Sequence, residues 1–265
     1  MPNGNKAIPT YAWLIPLAPL AIAFAIYSGE LQSNSFLFIN GITRLFPDTL
    51  WAWLTFLGNG WGVFALAFPL LLLAPRLLTA GIFAGAFSAI ASATLKNLFN
   101  LPRPASLLEL DSFYRIGEPL LHKAFPSGHT LTAFAIASAL YFAGKKNQRS
   151  YLWILFVIAA LVGISRNAVG AHWFTDVLGG AGFGIWCGML GAICALRISD
   201  DHLQVTKTWP RVIALGGVAA IYAHYTQIMD LELNQPLQYA SIAMVIITLV
   251  LFGKAQLNAP SNSSN

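Results

Sequence analysis

Long apolar segments, separated by short polar stretches, run through most of the chain. A membrane-spanning helix needs about 20 mostly apolar residues, and eight segments approach that length. They cover approximately residues 11–27, 51–74, 77–95, 129–143, 151–165, 174–196, 209–227 and 237–252. All are longer than a barrel strand and lack its strict polar–apolar alternation, so they predict helices. The pattern predicts an all-α fold, a polytopic transmembrane helical bundle.

The composition agrees with this prediction. Of the 265 residues, 57% are hydrophobic and only 9% are charged, which is unusual for a soluble domain. Segment 11–27 could also be a secretory signal, because residues 21–25 offer small side chains at a cleavage-like spacing. We expect it to be retained, since Lys6 is the only basic residue before it and seven more segments follow. The polar residues 258–265 predict a disordered tail.

The distribution of charge predicts the orientation in the membrane. If residues 1–10 are cytoplasmic, the cytoplasmic segments contain two of the acids, Asp200 and Asp201, and most of the basic residues. These basic residues are Lys6, Arg76, Lys145, Lys146, Arg149, Arg197, Lys207, Arg211 and Lys254. The bias follows the positive-inside rule. The compact chain favours a bacterial source, and we therefore expect the cytoplasmic (inner) membrane. The basic residues form no continuous stripe, so nucleic acid is not a predicted partner.

Three polar clusters interrupt the apolar segments. The first contains Lys96 and Arg103 at the end of the third segment, and the second is residues 125–130 at the start of the fourth. The third is residues 163–180, which join the fifth segment to the sixth and include the end of one and the start of the other. Counting spans places all three on the same side, the outer face. We therefore expect them to meet in one pocket at the membrane surface.

The residues in these clusters suit a phosphate. Lys96, Arg103 and Arg166 supply three cations, and Ser127-Gly128 at a predicted helix start supplies free backbone N–H groups. Each residue alone also has an ordinary interpretation: lysine and arginine near helix ends snorkel, and Pro-Ser-Gly forms turns. Such anchors have no reason to gather on the side that the charge rule depletes of cations, so their grouping favours a functional site.

The histidines add chemistry to this pocket. His172 and Asp176 are four residues apart, so one helical turn places them within hydrogen-bond reach. The carboxylate can hold one imidazole nitrogen protonated and leave the other free to attack phosphorus. His129 follows the predicted phosphate-binding turn and can protonate the leaving oxygen.

These residues resemble the signature of a known family. Lys96-x6-Arg103-Pro104, Pro126-Ser127-Gly128-His129 and Ser165-Arg166-x5-His172-x3-Asp176 are similar to the three motifs of the type 2 phosphatidic acid phosphatase (PAP2) superfamily. They match in residue type, spacing and order. The resemblance implies a six-helix PAP2-like catalytic core over residues 11–196, followed by two additional transmembrane helices within residues 197–257.

The resemblance also implies an activity, a metal-independent lipid phosphatase that works through a phosphohistidine and needs no cofactor. His172 would be the nucleophile, Asp176 its partner, and His129 the acid and later the base. The implied phosphate-binding residues are Lys96, Arg103, Ser127, Gly128, Ser165 and Arg166. Undecaprenyl diphosphate in the outer leaflet is the first candidate substrate, followed by phosphatidylglycerol phosphate, phosphatidate and lipid A.

Several alternatives remain at this stage. A phosphotransferase would pass the phosphoryl group to another lipid such as lipid A, and a non-catalytic lipid-binding or transport protein could share the topology. The membrane character argues against a vanadate-dependent haloperoxidase.

In the loop 105–123, Arg115 and Lys123 are either solvated or touch a second phosphate. For His224 and Gln227 we expect a packing role, and for the glycines of residues 58–62 close helix approach.

Overall fold

The computed structural model describes residues 8–259, and the regular structure within that range is helical. Residues 1–7 of the predicted cytoplasmic stretch 1–10 and the last six residues of the predicted tail 258–265 lie outside it. The helices are α1 Leu17–Ser28, α2 Gln32–Thr43, α3 Asp48–Phe56, α4 Gly60–Ala67, α5 Leu70–Leu73, α6 Pro75–Phe99, α7 Pro104–Leu107, α8 Gly128–Ala143, α9 Arg149–Leu152, α10 Ile154–Ala168, α11 Phe174–Arg197, α12 Thr208–Thr226 and α13 Gln235–Leu257.

Several helices are long and apolar enough to cross a membrane. Within the described residues there are five, or six if the bent pair α3 and α4 counts as one span. All eight predicted segments are helical, but two of them do not reach this length and hydropathy. Helix α8 has only 16 residues, about 24 Å at 1.5 Å per residue, and α12 is less apolar. The all-α transmembrane fold is confirmed, with fewer full spans than the apolar segments predicted.

The second predicted segment, 51–74, is not one helix. It is broken into α3, α4 and α5, and the axes of α3 and α4 meet at 75°. The Oδ1 of Asn59 accepts hydrogen bonds from the backbone N–H groups of Trp61 (3.0 Å) and Gly62 (3.2 Å), which caps α4 and starts a new direction. At Gly58 an added Cβ would lie 2.8 Å from the Cβ of His129. The expected close approach is confirmed at Gly58, and the bend brings this turn against α8.

Helix α11 is the centre of the bundle, packed against α8 on one side and α6 on another. Its glycines at positions 180, 184 and 188 repeat every four residues and so lie on one face. A Cβ at Gly184 would lie 2.5 Å from the carbonyl oxygen of Leu131, and one at Gly188 would lie 2.3 Å from that of Ala135. The missing side chains allow the two backbones to touch, as small residues do in membrane helix pairs.

We expect Gly188→Val to destabilise the protein by about 2 kcal/mol or more, because α8 must move to accommodate the added atoms. The matched control is Gly253→Val on α13, where an added Cβ meets nothing within 4 Å. Thermal unfolding in detergent measures both, and only Gly188→Val should lower the midpoint strongly. Equal midpoints would show that α8 and α11 are not closely packed.

Candidate active site

Arg103 connects the first polar cluster with the third. It lies just beyond α6 and is only 7% exposed. Its Nε donates to the carbonyl oxygen of His122 (2.7 Å) and its Nη1 donates to that of Ala171 (3.0 Å). The same Nη1 lies 3.2 Å from Nε2 of His172. The guanidinium is thereby fixed beside the predicted nucleophile.

The contacts of His172 determine which ring nitrogen carries its proton. A guanidinium can only donate, so Nε2 of His172 must accept from Arg103 and holds a lone pair. The proton then belongs on Nδ1, which faces Oδ2 of Asp176 at 3.3 Å. That oxygen also accepts from the backbone N–H of Trp173 at 2.9 Å, which fixes the carboxylate. The arrangement leaves the lone pair on Nε2, as the predicted role of a nucleophile requires.

His172 is buried, with 2% of its surface exposed. Burial is the main cause that lowers its pKa well below the usual range, and the nearby cations of Arg103, Arg166 and Lys96 act in the same direction. A lowered pKa keeps the imidazole neutral at physiological pH. The neutral ring is the form that can attack phosphorus.

Two residues that the sequence did not single out hold the His172 segment. Asn167 donates from Nδ2 to the carbonyl oxygen of His172 at 2.7 Å. Asn40, on α2, donates to the carbonyl oxygen of Asn167 at 2.8 Å and to that of Tyr114 at 2.9 Å. Both asparagines are buried. This network links α2 and the loop 105–123 to the turn before α11.

Arg166 is supported from α3. Its Nη1 donates to Oγ1 of Thr55 at 3.2 Å, and its buried Nε has no hydrogen-bond partner among the described residues. The hydroxyl of Ser165 lies 2.9 Å from that of Thr55 and donates to the carbonyl oxygen of Val162. Ser165, predicted to bind phosphate, is therefore turned toward the support of Arg166. Thr55 carried no sequence signal.

The start of α8 brings the second cluster to this site. The backbone N–H of Ser127 donates to the carbonyl oxygen of Asp176 at 3.0 Å. An added Cβ at Gly128 would come within 3.5 Å of Nζ of Lys96, so glycine leaves room for that ammonium group. Thr130 donates to Oγ of Ser127 at 2.9 Å and orients the hydroxyl. The expectation that the three clusters meet at one end of the bundle is confirmed.

An apolar cavity of about 890 Å³ leads away from this point. At one end it is lined by Lys96, Gly128 and His129. From there it runs between α4, α6, α8 and α12 toward Leu77, Leu140 and Trp209 at the other end of the helices. A charged head with a long apolar channel matches the two parts of a lipid phosphate.

The charged loop residues have local partners. Nζ of Lys123 donates to Oδ1 of Asn97 at 2.8 Å, and Nε of Arg115 donates to the carbonyl oxygen of Gly117 at 3.3 Å.

Within residues 8–259, no group of three or more His, Cys, Asp or Glu side chains could hold a metal ion.

Comparison with known proteins decides the family. A profile of the PAP2 superfamily matches residues 70–199. The crystal structure of LpxE from Aquifex aeolicus is 33% identical, and the match covers 61% of this chain and 94% of that protein with a TM-score of 0.52. This chain belongs to the PAP2 superfamily. The family profile ends before α12 and α13.

Two curated proteins are also similar in sequence to this chain. The lipid A 1-phosphatase of Rhizobium johnstonii is 32% identical over 133 residues, which are 48% of this chain and 52% of the relative. The phosphatidylglycerophosphatase B of Bacillus subtilis is 42% identical over 77 residues, which are 25% of this chain and 38% of the relative. The chain thus spans about half or less of the length of these relatives.

Proposed function

We propose that this PAP2 protein is an integral membrane lipid phosphatase that works through a phosphohistidine at His172. The observation that carries the proposal is the lone pair on Nε2 of His172, whose ring is held between Asp176 and Arg103. Lys96 and His129, two other proposed site residues, line one end of an apolar cavity that could take a lipid tail. The predicted site residues are therefore proposed as the catalytic set.

The first half-reaction transfers the phosphoryl group. Nε2 of His172 attacks phosphorus, a P–N bond forms, and the bond between phosphorus and the lipid oxygen breaks. The leaving oxygen takes a proton from His129. Arg103 Nη1 shifts its hydrogen bond from Nε2 to a phosphoryl oxygen as the P–N bond forms. Lys96, Arg166 and the backbone N–H of Gly128 stabilise the remaining charge; the N–H of Ser127 instead holds the carbonyl oxygen of Asp176.

The second half-reaction restores the enzyme. Water attacks phosphorus, His129 accepts the proton of that water, and the P–N bond breaks. Inorganic phosphate leaves, and His172 regains its neutral form. Both halves use only groups of this chain and water, so the proposed mechanism needs no metal ion.

The tail of the substrate is proposed to occupy the cavity. Gly85 lines it, eleven residues before Lys96 on α6 and so about 16 Å farther along the helix. An added Cβ there meets nothing within 4 Å, so a larger side chain would fill the channel without disturbing α6. We expect Gly85→Phe to lower kcat/KM about tenfold for a long-tailed lipid phosphate and to spare a short-tailed soluble one.

The matched control for this prediction is Gly253→Phe on α13, which lies outside the cavity and is equally uncrowded. It should leave both substrates unaffected. Equal losses on long-tailed and short-tailed substrates in Gly85→Phe would place the tail elsewhere.

We propose that the substrate is a phosphomonoester or diphosphate of a lipid in the outer leaflet of a bacterial inner membrane. Undecaprenyl diphosphate remains the first candidate from the sequence. The similarity to a lipid A 1-phosphatase and a phosphatidylglycerophosphatase supports testing lipid A 1-phosphate and phosphatidylglycerol phosphate beside it. The side follows from the positive-inside bias, since Arg76 and Arg197 lie at the ends of α6 and α11 opposite to Lys96 and Asp176.

A phosphate-release panel tests the function. Purified protein in mixed micelles receives each of these lipids and phosphatidate, with and without EDTA. We expect release of inorganic phosphate from at least one lipid, equally fast in chelator and without any acceptor lipid. Loss of activity in EDTA would contradict the mechanism. Phosphate transfer only in the presence of a second lipid would establish a phosphotransferase instead.

A further inference from the structure

The two helices beyond the family profile reach the proposed active site. The turn between α12 and α13, residues 227–234, lies at the same end of the bundle as the three polar clusters. Its Asp230 places Oδ1 3.0 Å from Nε2 of His129. This pair has ion-pair distance, although the ring N–H is not aligned with the oxygen. A carboxylate from outside the matched region therefore faces the proposed acid.

The bend in the second segment holds this carboxylate from its other side. Nδ2 of Asn59, whose Oδ1 caps α4, donates to Oδ2 of Asp230 at 2.9 Å. Gly58, next to it, is the residue that lies against the Cβ of His129. One turn thus positions both the histidine and its carboxylate partner.

A buried amide network fixes the turn itself. Nε2 of Gln238 donates to the carbonyl oxygens of Gln227 (2.8 Å) and His224 (3.0 Å), and its Oε1 accepts from the N–H of Met229 (3.2 Å). Asn234 donates to the carbonyl oxygen of Met229 at 2.9 Å. The side chains of Gln238 and Asn234 therefore shape the segment that carries Asp230.

Two further properties set Asp230 apart from a solvated loop acid. Its side chain is 21% exposed, and its backbone has φ of +66°, a conformation that aspartate and asparagine tolerate. Partial burial would raise the pKa of Asp230, but His129, Arg166 and Asn59 outweigh it and lower the pKa to about 2. The carboxylate is ionised throughout the physiological range.

We propose that Asp230 is a positioning residue for His129, so that the C-terminal hairpin completes the active site. The inference rests on the proposed function. With the carboxylate 3.0 Å from Nε2, the protonated ring presents Nδ1 to the leaving oxygen. When the P–O bond breaks, the proton passes from Nδ1 to that oxygen, and Nδ1 later accepts the proton of the attacking water. The negative charge of Asp230 stabilises the imidazolium against Arg166 and Lys96, the cations nearest the ring.

The test compares leaving groups, since an acid matters only where the leaving oxygen needs a proton. Asp230→Asn keeps the size of the side chain and tolerates the positive φ. We expect kcat/KM to fall about 10- to 100-fold for an alkyl phosphate. For 4-nitrophenyl phosphate, whose leaving group departs without a proton, the fall should stay within about threefold. Glu232→Gln, an exposed acid in the same turn, is the matched control and should change neither.

A double-mutant cycle separates positioning from structure. If Asp230 acts through His129, adding Asp230→Asn to His129→Ala should cause no further loss on the alkyl phosphate. Equal losses on both substrates, or additive losses in the double variant, would overturn the proposal. A rise in activity would overturn it too, by showing that the carboxylate obstructs His129. If the wild-type protein hydrolyses neither phosphate and no lipid in the panel, the proposed function fails instead.

Discussion

Replacing His172 with alanine is expected to lower phosphate release from a lipid phosphate by at least about 10³-fold, because the proposed mechanism forms its phosphoryl intermediate on this residue. Nε2 of His172 carries a lone pair that accepts from Arg103 in the structure, and no second nucleophile takes part in the proposed mechanism. The measurement is kcat/KM of the purified variant on the lipid that the wild type hydrolyses fastest.

The matched control for His172→Ala is His202→Ala. His202 is exposed, and its Nδ1 lies 2.6 Å from Oγ of Ser199 at the opposite end of the bundle. It should retain wild-type activity. If His172→Ala released phosphate as fast as the wild type, His172 would not be the nucleophile.

Asp176→Asn has the second-largest expected effect. The asparagine amide can donate to Nδ1 of His172, which would place the proton on Nε2 and remove the attacking lone pair. We expect a loss of about 10³- to 10⁴-fold in kcat with little change in KM. The carboxylate does not touch the substrate in the proposed mechanism, so binding should survive.

Asp111→Asn serves as the control for this variant, because Asp111 is an exposed acid in the loop 105–123. Its activity should be unchanged. A rise in KM at constant kcat for Asp176→Asn would mean that the carboxylate serves substrate binding rather than the orientation of His172.

The grouping of the proposed site residues could be predicted from sequence because its signals are local. His172 and Asp176 are one helical turn apart, and Ser127-Gly128 precedes an apolar segment as helix starts do. Counting spans then brought Lys96, Arg103 and Arg166 to one side. These predictions require only the spacing of residues, the length of the apolar segments and the sign of each charged side chain.

The rest depends on contacts between distant parts of the chain. Thr55 supports Arg166 across 111 positions, and Asn59 meets Asp230 across 171. Periodicity carries no information about such pairs. The break at Asn59 was also missed, since segment 51–74 is apolar enough to be one helix, and only the capping contacts of Asn59 show where the direction changes.

Helices α12 and α13 contribute more to the site than their sequence predicts. As apolar segments they predicted only two additional spans. In the structure α12 forms one wall of the apolar cavity, and the turn after it presents Asp230 to His129. Both contributions depend on how the hairpin packs against α4.

Trapping the phosphoenzyme tests most directly whether His172 carries the phosphoryl group. Wild-type protein would be mixed with a lipid phosphate carrying a radiolabelled phosphoryl group, quenched in alkali to preserve the P–N bond, and digested for peptide analysis. We expect label on His172 alone, appearing before inorganic phosphate and absent from His172→Ala. Label on another residue, or phosphate release without any labelled protein intermediate, would contradict it.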